Sequence, residues 1–230
     1  MKSNSQIRQE SLKAIRGSWF TLALITLVSS IIAAGPSLPT VIQTLTHPLS
    51  MNYLMQAGED SAFSSAGPLV NFLIVVPITY SIYLASMRLI RGEKDRIRFG
   101  DMFCAFGNGR YIKIIVLQFL ITIFTFLWSL LLIIPGIIKS LSYSMAPFIL
   151  LDNPETGLMD AIDSSCEMMK GHKGSLFLIY LGMIGFIILG AFTLGIAYFW
   201  IIPYYLVVLT DFYENLKKDM IPQSYLQPED

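Results

Sequence analysis

The residues best placed to do chemistry fall in two stretches. The first is Pro135-Gly136-Ile-Ile-Lys139-Ser-Leu-Ser142-Tyr143-Ser-Met-Ala-Pro147, where a cation, a phenol and several serines interrupt an apolar run. Polar groups at membrane depth ordinarily face a bundle interior or a water-filled cavity. Lys139, Ser142 and Tyr143 are therefore candidates for a polar pathway or a headgroup pocket. The simpler alternative is structural: Lys139 snorkels to the outer interface and the serines bond across helices. The second stretch is Lys170-Gly171-His172-Lys173-Gly174. Its two lysines and histidine suit an anionic lipid headgroup at a membrane boundary. A helix end with cationic anchoring would explain the same residues.

Other chemistries lack their parts. There is no Walker loop, no GxSxG elbow and no HExxH helix. Asp160, Asp163 and Glu167 share a helical face and offer oxygens a metal could use. No second cluster joins them, so a solvated face is the plainer reading. Cys104 and Cys166 form no CxxC pair and no His/Cys cluster, so no zinc site is expected. No apolar segment carries Asp or Glu near its centre, which counts against a carrier using a buried carboxylate. We expect a non-enzymatic protein with no cofactor.

The elements that must position these residues follow from composition. Of 230 residues, 54% are hydrophobic and 14% charged. Soluble domains are nearer 45–50% and about 25%. The net charge of zero removes the basic field that nucleic-acid binding needs. Apolar blocks approach the roughly 20 residues of a membrane span. We read an all-α, polytopic transmembrane helical bundle, a single integral membrane domain over 1–230. Six spans can be drawn: Trp19–Ala34, Pro68–Leu89, Tyr111–Ile134, a short Gly136–Leu151, Ser175–Thr193 and Gly195–Thr210. The long polar lead before Trp19 argues for an uncleaved first helix.

Basic residues set the orientation. They gather at the N-terminus, at 88–113 (Arg88, Arg91, Lys94, Arg96, Arg98, Arg110, Lys113), at Lys170 and Lys173, and at Lys217 and Lys218. The 44–67 loop holds no Lys or Arg. The expectation is a multi-pass protein of the bacterial cytoplasmic membrane. Both termini would be cytoplasmic, 44–67 outside and 211–230 a cytoplasmic tail.

Between spans, 154–170 reads as an interfacial amphipathic helix capped by Asn153, with Pro154 as its first residue. Leu158, Met159, Ile162, Cys166 and Met169 would share its apolar face, opposite Asp160, Asp163, Ser164 and Glu167. Asp101-x-x-Cys104 and Asp163-x-x-Cys166 are each followed by a glycine, Gly109 or Gly171, and then a span. Ile15-Arg16-Gly17 is a fainter copy. Pro77, Pro135 and Pro203 each follow two aliphatics, so these prolines and Gly136 are candidate hinges. The pattern suggests three parallel repeats of interfacial helix, span, span.

The second half resembles a known family. The carrying residues are Pro135-Gly136 through Tyr143-Ser-Met-Ala, then Ala161-Ile-Asp-Ser164-Ser165-Cys-Glu-Met168-Met169-Lys170-Gly171-His172-Lys173. Thr193-Leu-Gly195-Ile, Trp200-Ile-Ile-Pro203-Tyr204 and Phe212-Tyr213-Glu214 complete them. Together they are similar to the domain-of-unknown-function 975 family of bacterial integral membrane proteins, over about 111–215. A more distant likeness is to the membrane domain of some glycerophosphodiester phosphodiesterases, whose soluble hydrolase domain has no counterpart here. The family resemblance implies a membrane protein and names no reaction. The partners expected are membrane lipids, another membrane protein or a second copy. A transporter or lipid translocator with a polar fourth span is the alternative.

Overall fold

A computed structural model describes residues 4–15, 17–35, 68–93, 96–107, 109–193 and 197–220. The 44–67 loop, Lys2, Arg16, Gly195 and the terminal ten residues of the expected tail lie outside the described residues. All regular structure among the described residues is helical. In chain order the α-helices are α1 (Asn4–Ile15), α2 (Trp19–Ala34), α3 (Val76–Ile90), α4 (Arg110–Leu131), α5 (Ile133–Tyr143), α6 (Ala146–Asp152), α7 (Leu158–Met168), α8 (Lys173–Phe192) and α9 (Tyr198–Met220). A 3-10 segment, Phe99–Phe103, lies between α3 and α4.

Three helical stretches are long and apolar enough to cross a membrane: Pro68–Ile90, Arg110–Leu131 and Ile134–Asp152. The α1–α2 pair, bent by 94°, would make a fourth. The apolar stretch Lys173–Phe186 of α8 is shorter. Phe119, Phe126, Leu127, Leu130 and Leu131 on α4 are all exposed, an apolar surface of the kind that suits a lipid contact.

α4 and α5–α6 form an antiparallel hairpin. The chain breaks at Leu132, whose backbone is extended, and turns straight back. Gly136 then lies against Ser129, where a Cβ would come 2.8 Å from the serine Cα. Further along, Lys139 sits 4.7 Å over the Trp128 ring and Tyr143 lies 6.3 Å from Phe124. At the far end Lys113 donates to the Pro154 carbonyl. The expected turn at Pro135-Gly136 therefore falls a few residues early. Pro135 sits in the first turn of α5, where its missing N–H costs little.

The other prolines are absorbed differently. Pro77 removes a donor from Leu73 and crowds that carbonyl. The preceding turn, Asn71–Val75, widens to a π-helix, and Tyr111 donates its hydroxyl to the Leu73 oxygen at 3.0 Å. Pro203 lies inside α9, which runs on to Met220. The first half of the expected tail is thus helix: Asp211 through Leu216 are buried.

Two corrections concern α7. Asn153 follows α6, and α7 begins only at Leu158 with Gly157 at its N-cap. The Pro-Glu-Thr-Gly stretch makes a turn instead, with Thr156 N–H on the Asn153 carbonyl at 3.1 Å. Its buried face holds Ala161, Ile162, Ser165, Met168 and Met169, whereas Met159 is 51% exposed. The later start rotates Met159 off that face. Asp160, Asp163, Ser164 and Glu167 are exposed as expected. The face packs on the α5–α6 junction: the Ser165 hydroxyl donates to the Ser142 carbonyl at 2.6 Å and accepts from the Met145 N–H at 3.1 Å.

Gly109 and Gly171, the paired glycines of the apparent repeat, both have left-handed backbones (φ 68° and 80°) just before α4 and α8. Their aspartates differ. Asp101 is buried and accepts from the Arg98 N–H at 2.8 Å, whereas Asp163 is exposed.

Candidate functional site

A cavity of about 580 Å³ lies among α3, α4, α5, α6, α8 and α9. Such a volume is within the range of small-molecule pockets, about 300–1,000 Å³. Its inner wall is Tyr80, Leu141, Tyr143 and Phe148, all buried. Asn71, Ile137, Ser140 and Phe177 are exposed and mark its mouth.

The polar lining comes from helical spacing. Gln118 and Thr125 stand two turns apart on one face of α4, with Ile121 between them. Thr79 and Tyr80 come from α3, and Ser140, Tyr143 and Ser144 from α5 and its end. Tyr80 donates to Gln118 Oε1 at 2.9 Å. Among the described residues, the Gln118 Nε2 has no hydrogen-bond partner. The Thr125 hydroxyl is buried and makes no hydrogen bond. Thr79, Ser140 and Ser144 donate to the carbonyls of Val75, Ile137 and Leu141, which leaves their lone pairs free to accept. No charged side chain lines the cavity among the described residues.

Of the residues singled out by sequence, Tyr143 and its neighbours Ser140 and Ser144 line this cavity, whereas Lys139, Ser142, Lys170, His172 and Lys173 do not. Lys139 is held over Trp128. Ser142 is buried and donates to the Ile138 carbonyl at 2.8 Å. Lys170 is exposed and pairs with Glu167 at 3.7 Å. His172 and Lys173 are half-buried at the start of α8. Burial pushes the Cys166 thiol up, and the charges of Lys139, Lys173 and Lys170 pull it down. α7 packs on α5 through the Ser165–Ser142 hydrogen bond.

A second polar cluster closes one end of the bundle. Arg91 follows α3 and places Nη1 2.8 Å from Asp152 Oδ1 and Nη2 2.8 Å from Glu214 Oε1. Tyr213 donates to Asp152 Oδ2 at 3.0 Å, and Lys217 pairs with the same oxygen. Burial disfavours the Arg91 charge, but its hydrogen bonds to Asp152 and Glu214 outweigh that and hold its pKa above the ordinary value. Burial first, and then the Asp152 charge, push the Tyr213 phenol up. Phe148 joins the two regions: it lines the cavity and stacks on Tyr213 with ring centroids 5.3 Å apart. Among the described residues no group of three or more His, Cys, Asp or Glu is placed to hold a metal ion.

The sequence reading missed Thr79, Gln118, Thr125 and Asp152. The period of Gln118 and Thr125 within the apolar third segment was a usable signal. Asp152 carried none, because its partners are remote in sequence.

The chain matches the family described as "Protein of unknown function (DUF975)" over residues 1–139 and 130–220. It belongs to that family. The DUF975 match extends the resemblance from the second half to nearly the whole chain. No curated protein matches. No solved structure matches either. The DUF975 residues quoted from the sequence take architectural places here: Gly136 on Ser129, Ser165 on the α5–α6 junction, Gly171 in the left-handed turn, and Tyr213 and Glu214 in the ion cluster.

Proposed function

We propose that this DUF975 protein is a non-enzymatic, membrane-embedded module that binds a lipid in the cavity between its helices. The observation that carries this reading is the buried Thr125 hydroxyl, which makes no hydrogen bond, beside the half-buried Gln118 amide in a cavity walled by spanning-length helices. A buried polar group left without a partner costs on the order of 1–3 kcal/mol, so a ligand that satisfies it gains that much. The proposal includes six spans in the bacterial cytoplasmic membrane with both termini cytoplasmic, supported by the distribution of basic residues. On that topology Cys104 and Cys166 resist an impermeant thiol reagent in intact cells and react with a permeant one.

Native mass spectrometry of the protein released from nanodiscs of its own membranes tests the reading. A lipid should stay bound, and Ser140→Trp at the mouth should displace it. A bare protein, or retention unaffected by Ser140→Trp, overturns the proposal. Reproducible substrate turnover by the purified protein overturns its non-enzymatic part. A translocator is the second reading. It is favoured by the π-helical turn Asn71–Val75, which breaks regular helix at the cavity mouth.

A further inference from the structure

Resting on the lipid reading above, we infer that the cavity selects a neutral acylglycerol headgroup, one with a free hydroxyl and ester carbonyls and no phosphate. The lining supplies both halves of that pattern. Among the described residues, Gln118 Nε2 and the Thr125 hydroxyl are donors without protein partners, suited to ester carbonyls. Thr79, Ser140 and Ser144 spend their protons on backbone carbonyls and present acceptor lone pairs, suited to a glycerol hydroxyl.

The charge balance decides against a phospholipid headgroup inside. No lining side chain is charged among the described residues. A phosphate drawn in would lose its water without gaining a cation, which is strongly unfavourable. The nearby cation, Lys139, is turned to the Trp128 ring and does not line the space. The acyl chains need not enter. Phe177 sits at the mouth, and Leu181, Ile184 and Ile188 continue one exposed apolar face of α8 beyond it.

The experiment uses full-length protein in vesicles with two photoreactive lipids of identical acyl chains, a diacylglycerol and a phosphatidylglycerol. Crosslinked peptides are mapped by mass spectrometry. The diacylglycerol probe should label α3, α4 and α5 at the cavity. Unlabelled diacylglycerol should compete at least tenfold better than phosphatidylglycerol, a tenfold ratio being about one charged-group hydrogen bond in free energy. Thr125→Val, which keeps the side-chain shape, should weaken cavity labelling by roughly fivefold, as expected for one lost hydrogen bond. Gln118→Lys should reverse the preference toward phosphatidylglycerol. Wild-type competition decides the matter even where a variant fails to fold. Equal or better cavity labelling by phosphatidylglycerol overturns the neutral-headgroup inference and leaves the lipid reading standing. Labelling confined to the outer helix faces by both probes overturns both.

Discussion

Arg91 and Asp152 meet at 2.8 Å, which locks the end of α3 to the end of α6. The same guanidinium reaches Glu214 on α9, so one side chain ties three helices. Glu214 is 6% exposed at its side chain, and Arg91 is its one cationic partner among the described residues. Removing Arg91 therefore strands a buried carboxylate.

Arg91→Ala should lower stability in detergent by about 2 kcal/mol. That is less than the roughly 3–5 kcal/mol for breaking a fully buried pair, because Arg91 retains some exposure. Arg91→Lys should recover only part of it, since an ammonium cannot serve both carboxylates through a planar fork. Glu214→Gln in the Arg91→Ala background should restore stability by removing the stranded charge. Thermal unfolding followed by tryptophan fluorescence reads all three. An Arg91→Ala midpoint equal to wild type would sink the argument.

The close approach of α5 to the α4 backbone at Gly136 is also testable. A Cβ on Gly136 would stand 2.8 Å from Ser129 Cα, a backbone atom that cannot swing aside. Gly136→Ala should push α5 off α4 and cost about 1–3 kcal/mol, the usual range for overpacking. Gly185→Ala on α8 meets nothing within 4 Å and serves as the control. Its Ala should be neutral or stabilising by a few tenths of a kcal/mol, through helix propensity. Equal unfolding midpoints for Gly136→Ala and wild type would show that the hairpin is looser than this geometry.

Ser165 is the third test. It bonds the Ser142 carbonyl and the Met145 N–H where α5 gives way to α6, two groups the helices leave to other partners. Ser165→Ala strands that buried donor and should cost about 1–3 kcal/mol. Ser164→Ala, one residue away on the exposed face, should change stability by less than about 0.5 kcal/mol. Similar losses at both positions, measured by unfolding in detergent, would mean that α7 is not docked through Ser165.

These contacts show what a sequence can and cannot carry. Apolar runs marked the long helices, because hydropathy and period are local properties. Tyr143 was legible as a polar residue in such a run, and Ser165 and Gly136 as parts of a motif. Their partners were not legible. Ser142 with Ser165, or Arg91 with Asp152 and Glu214, are pairs made by tertiary packing alone. The start of α7 was misjudged by local preference, since Asn153-Pro154 is a good helix entry that the chain uses to leave α6 instead.

That same packing makes Cys166 a reporter. Burial is the largest influence and pushes its thiol up; Lys139 pulls it down, Asp163 pushes it up, and Lys173 and Lys170 pull it down. The thiolate is the reactive form, so a raised pKa means less thiolate at neutral pH and slower alkylation. In a Cys104→Ser background, the rate of maleimide labelling should climb with pH and level off above the value for a free cysteine. Lys139→Ala removes a stabilising cation and should move the profile further up, slowing the reaction at pH 7. Asp163→Asn removes an anion and should move it down by a smaller amount, because Asp163 is exposed and screened. A Lys139→Ala profile that coincides with the parent would mean that the Lys139 charge does not reach Cys166.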